Sequence, residues 1–281
     1  MIFTYKCWDE FCEELHNQGV HSVPAKSLMC ERFASNYVVL KHDIETNVLN
    51  AFKMAEIEYK WGHSGSYYVQ AYLLENEKNI TMLQKMQKMG HEISYHYDVM
   101  DANGGDILAA MADFEAKCDM FEKNGFHLVT LCQHGNPIVE RKGYTSNRDF
   151  FRNETVKKKF YNLADIMVDF KEKAFEGTDY LYFSDVGRKF KLIYNPINND
   201  LIPSDDKNIP FDDLDLLWNY VTEQKVNAII STHPHRWVKS KAKYIIKTVM
   251  FKAVKTVAKL LIKIPFMKKF MSKYYYLAKK F

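Results

Sequence analysis

The chain has 281 residues, 47% hydrophobic and 15% aromatic, which is enough to fill one sizeable core and too little for more than one or two domains. Its net charge of +4 is unevenly held: residues 239–281 carry thirteen lysines and no acidic residue, so +4 overall leaves −9 for residues 1–238. An acidic body offers no continuous basic groove, which argues against nucleic acid as a partner. Cys7, Cys12, Cys30, Cys118 and Cys132 are odd in number and lack a Cys-x-x-Cys spacing, so they read as reduced thiols. The amino terminus shows no basic start, apolar core or small-residue cleavage site, and a cytoplasmic location is expected. No stretch reaches the roughly eighteen uncharged apolar residues that a spanning helix needs.

In chain order, Trp8, Phe11, Cys12 and Leu15 have the spacing of a short amphipathic helix stopped by Gly19. Residues 37–45, Tyr-Val-Val-Leu-Lys-His-Asp-Ile-Glu, read as a buried strand ending in carboxylates. Asp43 and Glu45 are two residues apart, so strand geometry turns both to the same side. A helix with Val48, Leu49, Phe52, Met54, Ala55 and Ile57 follows, then a strand over 65–69, which makes a β-α-β beginning. Ile80, Leu83 and Met86 mark a helix capped at Gly90, which leads into a strand over 91–96. A longer helix over 107–124 leads to a strand over 127–133 and the turn His134-Gly-Asn-Pro137.

Residues 141–175 carry no clear period apart from a short strand near 166–168, and they read as a long excursion over the mouth of the fold. A strand over 180–185, a loop over 195–210, a helix over 211–223 and a strand over 226–232 complete the body. Five strand ends finish in acid or histidine: Asp43 with Glu45, His96, His134, Asp185 and His233. An active site assembled from the carboxyl ends of successive strands needs such an arrangement. The expected architecture is a single distorted (β/α) barrel of about seven strands over residues 1–238, with a basic amphipathic helical tail over 239–281.

The stretches His42-Asp43-Ile44-Glu45, Gly90-His-Glu-Ile-Ser-Tyr-His96 and His233-Pro-His-Arg-Trp237 together resemble the polysaccharide deacetylase superfamily, in a divergent branch found among bacterial surface-polysaccharide biosynthesis proteins. The likeness covers roughly residues 35–237 at the level of pattern. It implies metal-dependent hydrolysis of an acyl group, acetyl in the simplest case, from an N-acylated sugar or lipid-linked glycan. His96 matches the first metal histidine of that pattern, and a neutral imidazole is the commonest protein ligand for zinc. The usual second histidine, four residues on, is replaced by Met100, which leaves Asp98 or Asp101 as oxygen ligands.

The usual adjacent Asp-Asp pair has become Asp43-Ile44-Glu45, with Asp43 matching the general base and Glu45 the shifted ligand, or with these roles exchanged. His233 resembles the histidine that acts as general acid, and Asp185 is the candidate carboxylate that holds its proton. His134 and Arg188 are candidates for contact with substrate. His235 reads instead as a surface residue. The implied cofactor is a divalent metal, zinc first.

The tail is a separate signal. On a helical wheel Lys252, Lys255, Lys259 and Lys263 share one face, opposite Met250, Ala253, Val254, Val257, Leu260, Leu261 and Ile264, with Pro265 as the stop. A basic amphipathic helix of this kind suits the inner surface of an anionic membrane.

Overall fold

The structure is a computed structural model that describes residues 2–31, 33, 36–136, 139–174, 179–193, 195–198, 200 and 209–261. The expectations placed on Lys263, Ile264 and Pro265 lie outside the described residues, as does part of the expected 195–210 loop.

The body is a mixed α/β structure around one sheet of nine strands. In chain order these are β1 (Val38–Ile44), β2 (Gly65–Val69), β3 (Glu92–Tyr97), β4 (Thr130–Gln133), β5 (Ala164–Asp165), β6 (Tyr180–Ser184), β7 (Phe190–Leu192), β8 (Ile209–Phe211) and β9 (Asn227–Thr232). Their spatial order is β5-β4-β3-β2-β1-β9-β6-β7-β8. The first seven strands of that order run parallel, and β7 and β8 extend the β6 edge antiparallel. The two extra strands went unread because each is three residues long, too short to show a period.

The expected closure into a barrel is not formed, since β5 and β8 are the outer strands of the sheet and do not pair. After β6 the chain doubles back through β7 and β8 and prolongs that edge away from β5, which is only two residues long. Side chains do what hydrogen bonds do not. Ile166, Met167 and Phe170, beyond β5, share one apolar cluster with Tyr182 of β6, Ile193 and the central residues Tyr37, Val39 and Ile229. The sheet therefore curls with this cluster inside it, and Ala25 and Leu28 of the turn Ala25–Met29 fill the same space.

Ten helices are present among the described residues: α1 (Tyr5–Asn17), α2 (Val48–Lys60), α3 (Glu77–Lys88), α4 (Val99–Ala102), α5 (Ile107–Lys123), α6 (Asp149–Arg152), α7 (Glu154–Lys159), α8 (Phe170–Lys173), α9 (Leu214–Gln224) and α10 (Lys241–Leu261). The long ones begin where an oxygen-bearing side chain takes an orphan amide: Thr4 for α1, Asn47 for α2, Asn76 for α3, Asp106 for α5 and Asp213 for α9. Gly90, expected as a helix cap, sits at φ +97 between α3 and β3, a conformation open to glycine at no steric cost. No described helix is long and apolar enough to cross a membrane.

The 141–175 segment corrects the expectation of an excursion over the mouth. Phe150, Phe151, Val156 and Phe160 of α6, α7 and the following turn are buried with Tyr95, Tyr97 and Phe114 against the outer face of the sheet. Its helices α6 and α7 are only four and six residues long, so no helical period is long enough to read in the sequence.

The outer face of β1 carries a buried polar cluster. Glu58 of α2 accepts hydrogen bonds from the Trp8 indole at 2.9 Å and the Tyr67 hydroxyl at 2.8 Å, and its carboxylate lies 2.9 Å from His42 Nε2. Burial would raise this carboxyl, but His42 first and then His91 and Tyr67 hold it below its ordinary value. A Cβ at residue 65 would stand 2.9 Å from Glu58 Oε2 and 2.7 Å from the Leu40 carbonyl, so glycine there makes the approach of α2 to the sheet feasible.

Two stability predictions follow from these buried carboxyls. Glu58→Leu strands His42, Trp8 and Tyr67 without their shared acceptor, and it is expected to cost about 3–5 kcal/mol in urea unfolding. Asp165 is buried at the end of β5, and burial, reinforced by Asp169, pushes its carboxyl up to about 7. A raised native pKa means the folded state keeps a proton that the unfolded state has released. This contribution is fully present below about pH 4 and is lost as pH rises through about 7. Asp165→Asn keeps the side-chain oxygen that accepts from the Met167 amide, so it should match wild type near pH 4 and exceed it in urea midpoint at pH 8.

Candidate metal centre and active site

The inward side chains of β1 alternate as Val39, Lys41 and Asp43, and Glu45 continues the series one residue past the strand end. On β3 the inward set is Glu92, Ser94 and His96, and on β4 it is Thr130 and Cys132, with His134 at the carboxyl end. Lower in this interior the polar groups are mutually satisfied: Ser66 and Thr130 each donate to Glu92 at 2.7 Å, and Tyr68 meets Thr130 at 2.8 Å. Near the carboxyl edges, donor atoms of the ligand type converge.

Two overlapping triads share His96. Single ligand atoms of Glu45, His96 and His134 lie within 4.8 Å of one another, and so do those of Asp43, His96 and Cys132. Strands two apart in a sheet are separated by about 10 Å, so β1 and β3 meet over this site through long inward side chains on a curled sheet. His96 Nδ1 lies 3.1 Å from the Cys132 carbonyl, which takes the Nδ1 proton and leaves Nε2 as the lone pair facing the cluster. Burial pushes His96 down to about 3, so it is a neutral imidazole over the whole physiological range.

The donor chemistry separates the two triads. Asp43 is clamped by the Lys41 ammonium at 2.6 and 2.7 Å, and Lys41 also reaches Ser231 at 3.2 Å. Burial alone would raise the Asp43 carboxyl, but Lys41 foremost holds it down at about 2. Burial also pushes the Cys132 thiol well above its ordinary value, so it stays protonated. Glu45, His96 and His134 supply one carboxylate and two imidazoles, a set that fits zinc with a position left for water.

On the other side of β1, His233 Nδ1 lies 2.6 Å from Asp185 Oδ1, and the His233 amide donates to Asp185 Oδ2 at 3.0 Å. Arg236 donates to both the side chain and the backbone carbonyl of Asp185 at 2.6 Å. Burial would raise Asp185, but Arg236 and then His233 hold it below the usual carboxylate range. Pro234–Arg236 is a tight three-residue turn, and residues three apart in such a turn share a side, so His233 and Arg236 address one carboxylate. The far nitrogen of His233, Nε2, stands 3.9 Å from Asp43 and 4.0 Å from Glu45.

Of the residues singled out in the sequence, Asp43, Glu45, His96, His134, Asp185 and His233 meet in this one region. His134 lies in the donor cluster itself, 3.4 Å from Glu45. Asp98, expected as a ligand, is not there: β3 ends at Tyr97, and Asp98 instead begins α4, 3.8 Å from Lys117. Asp101, the alternative ligand, is taken by Arg141 at two contacts of 2.8 Å and by Tyr144 and Asn147. Arg188 turns toward α10, with its guanidinium 4.7 Å over the Phe251 ring and 3.4 Å from Thr248, so it does not face the site.

Met100 is buried in the outer apolar cluster, so α4 presents no ligand position, and the second imidazole comes from His134 on the next strand. Three residues of the site were missed. Lys41 read only as part of the 37–45 strand, although its place two before Asp43 puts it on the same face. His235, read as a surface residue, is mostly buried with Nδ1 3.8 Å from Glu45. Arg236 gave no signal, because its partner Asp185 lies 51 residues away. No family model and no curated protein matches the chain.

The ligand assignment makes a direct prediction for binding. The purified protein should take up one equivalent of zinc in a chelator competition, and His96→Ala and His134→Ala should each weaken it by about a hundredfold or more, whereas Asp98→Ala should leave it unchanged. Equal loss in the Asp98 variant would overturn the assignment.

Proposed function

We propose that this protein is a metal-dependent hydrolase that removes an acetyl or related acyl group from an N-acylated sugar in the making of a bacterial surface polysaccharide. The observation that carries this reading is the convergence of a two-histidine, one-carboxylate donor set with two proton-handling groups, Asp43 and the Asp185-supported His233. The resemblance of the three sequence stretches to the deacetylase pattern supports the substrate class, and the rolled sheet is then an open, distorted relative of a (β/α) barrel. His134 from β4 takes up the part that Met100 leaves vacant in that pattern.

A zinc ion held by Glu45, His96 and His134 would supply Lewis acidity toward the scissile carbonyl and toward water. Asp43, kept ionised by Lys41, accepts a proton as water adds to the carbonyl carbon. His233 faces the same space through Nε2 while Asp185 holds Nδ1, so Nε2 gives its proton to the amine nitrogen as the C–N bond breaks. Acetate and a free amine leave. Arg236 and the His233 amide fix Asp185 and so fix the direction of the ring.

Acetate release should be measured from acetamido sugars in free, nucleotide-linked and lipid-linked form. Asp43→Asn is expected to keep zinc and lower kcat about a thousandfold or more, and His233→Ala to lower it about a hundredfold to ten-thousandfold. Loss of zinc in Asp43→Asn would make Asp43 the ligand and Glu45 the base. Zinc binding with no acetate from any of these substrates would point to a different scissile bond.

A further inference from the structure

We propose that α10 docks the protein on an anionic lipid surface, with its outward apolar face buried among the headgroups. Tyr244, Lys247, Thr248 and Phe251 form the inner side of the helix. Tyr244 packs edge-on to Phe3 at 6.0 Å, Lys247 reaches the His235 carbonyl at 3.4 Å, and Thr248 and Phe251 receive Arg188. At 100° per residue the opposite side carries Ala242, Ile245, Ile246, Val249, Met250 and Ala253. All six are exposed, with Ile246 at 59% and Val249 at 61%, so the apolar stripe is turned to solvent and the packed side to the body. An amphipathic helix of a globular protein ordinarily has the reverse arrangement.

Charge selects the occupant. Exposed Lys243 borders the stripe on one edge, and exposed Lys241 and Lys252 border it on the other. Residues 239–281 add ten further lysines and no acid to offset them. Pairing two copies of this helix would set lysines against lysines, whereas an anionic bilayer meets the lysines with phosphate and the stripe with acyl chain. The helix is too polar to cross the bilayer and has the pattern of one that lies on it. The Lys247 contact sets the inner side of the helix beside the turn that carries His233 and His235, so in a docked protein the turn and the lipid surface lie on opposite sides of α10, one helix diameter (~10 Å) apart.

Sedimentation of the full chain with vesicles tests this without reference to any activity. With phosphatidylglycerol-rich vesicles at low salt the protein should pellet, release as salt rises, and stay in the supernatant with pure phosphatidylcholine. Ile246→Asp with Val249→Asp alters two solvent-exposed side chains, and it should reduce binding about tenfold or more with an unchanged unfolding midpoint. Lys241→Glu with Lys243→Glu and Lys252→Glu should do the same. Three results would each overturn the proposal: no pelleting with anionic vesicles at low salt, unchanged binding by the Ile246 and Val249 variant, or a wild-type dimer that this variant dissociates while vesicles are ignored.

Discussion

A charge taken out of water has to be paired, and β1 buries three ionisable side chains in a row: Lys41, His42 and Asp43. Strand alternation sends Lys41 and Asp43 inward and His42 outward, so the two faces must solve the problem separately. Inside, Lys41 and Asp43 neutralise each other, with Ser231 completing the ammonium's contacts. Outside, His42 lies between Glu58 and the Thr232 hydroxyl. Ser231 and Thr232 are the register partners of Lys41 and His42 on β9. A slip of one residue would exchange serine for threonine and turn every partner to the wrong face, so polar pairing fixes the register that apolar burial alone would leave looser. Glu58 extends the constraint by joining α1 through Trp8, β2 through Tyr67 and α2 through its own backbone. The carboxyl edge of β1, and with it Asp43 and Glu45, is set by contacts on both sides of the sheet.

Much of this was legible because buried parallel strands are written as apolar runs that stop at turn residues. The six strands longer than three residues, β1, β2, β3, β4, β6 and β9, were each read to within a few residues. Closure of the sheet was not legible, since it depends on what two short strands after β6 do and not on the pattern of any one strand. The candidate site divides along the same line. Asp43, Glu45, His96, His134, Asp185 and His233 each end a strand, and a strand end is visible in sequence. Asp98 and Asp101 were candidates because Met100 stands at the second-histidine position, but the chain turns into α4 at Asp98 and Arg141 claims Asp101 from forty residues away.

The motif Gly-His-Glu-Ile-Ser-Tyr-His shows how resemblance and geometry divide the work. Of its two histidines only His96 faces the donor cluster. His91 is on the outer face, where Nδ1 accepts from the Gly65 amide at 3.0 Å and Nε2 meets the Ala55 carbonyl at 3.1 Å. Burial pushes His91 below its ordinary value, so it is a neutral strut between α2 and β2. Glu92 is inward but lies a full register below the cluster, where burial raises it and Ser66 and Thr130 serve it. One short string therefore contains one ligand candidate and two structural residues, a split that follows from the two-residue period and from depth along the strand.

The same period explains how two carboxylates on one face can take different parts in the proposed reaction. Lys41, Asp43 and Glu45 follow each other at intervals of two, so the ammonium lies next to Asp43 and one step further from Glu45. Asp43 is held ionised at about 2 and is already partnered by the Lys41 ammonium through both oxygens. Glu45, one step further along the same face, is ringed by imidazoles, with His134 at 3.4 Å, His235 at 3.8 Å and His233 at 4.0 Å. Environments that separate two like groups in this way are how a site assigns one to bind and the other to move a proton. The proposed assignment of Glu45 to the metal and Asp43 to the proton thus rests on the position of a buried lysine, which already partners one of the two carboxylates.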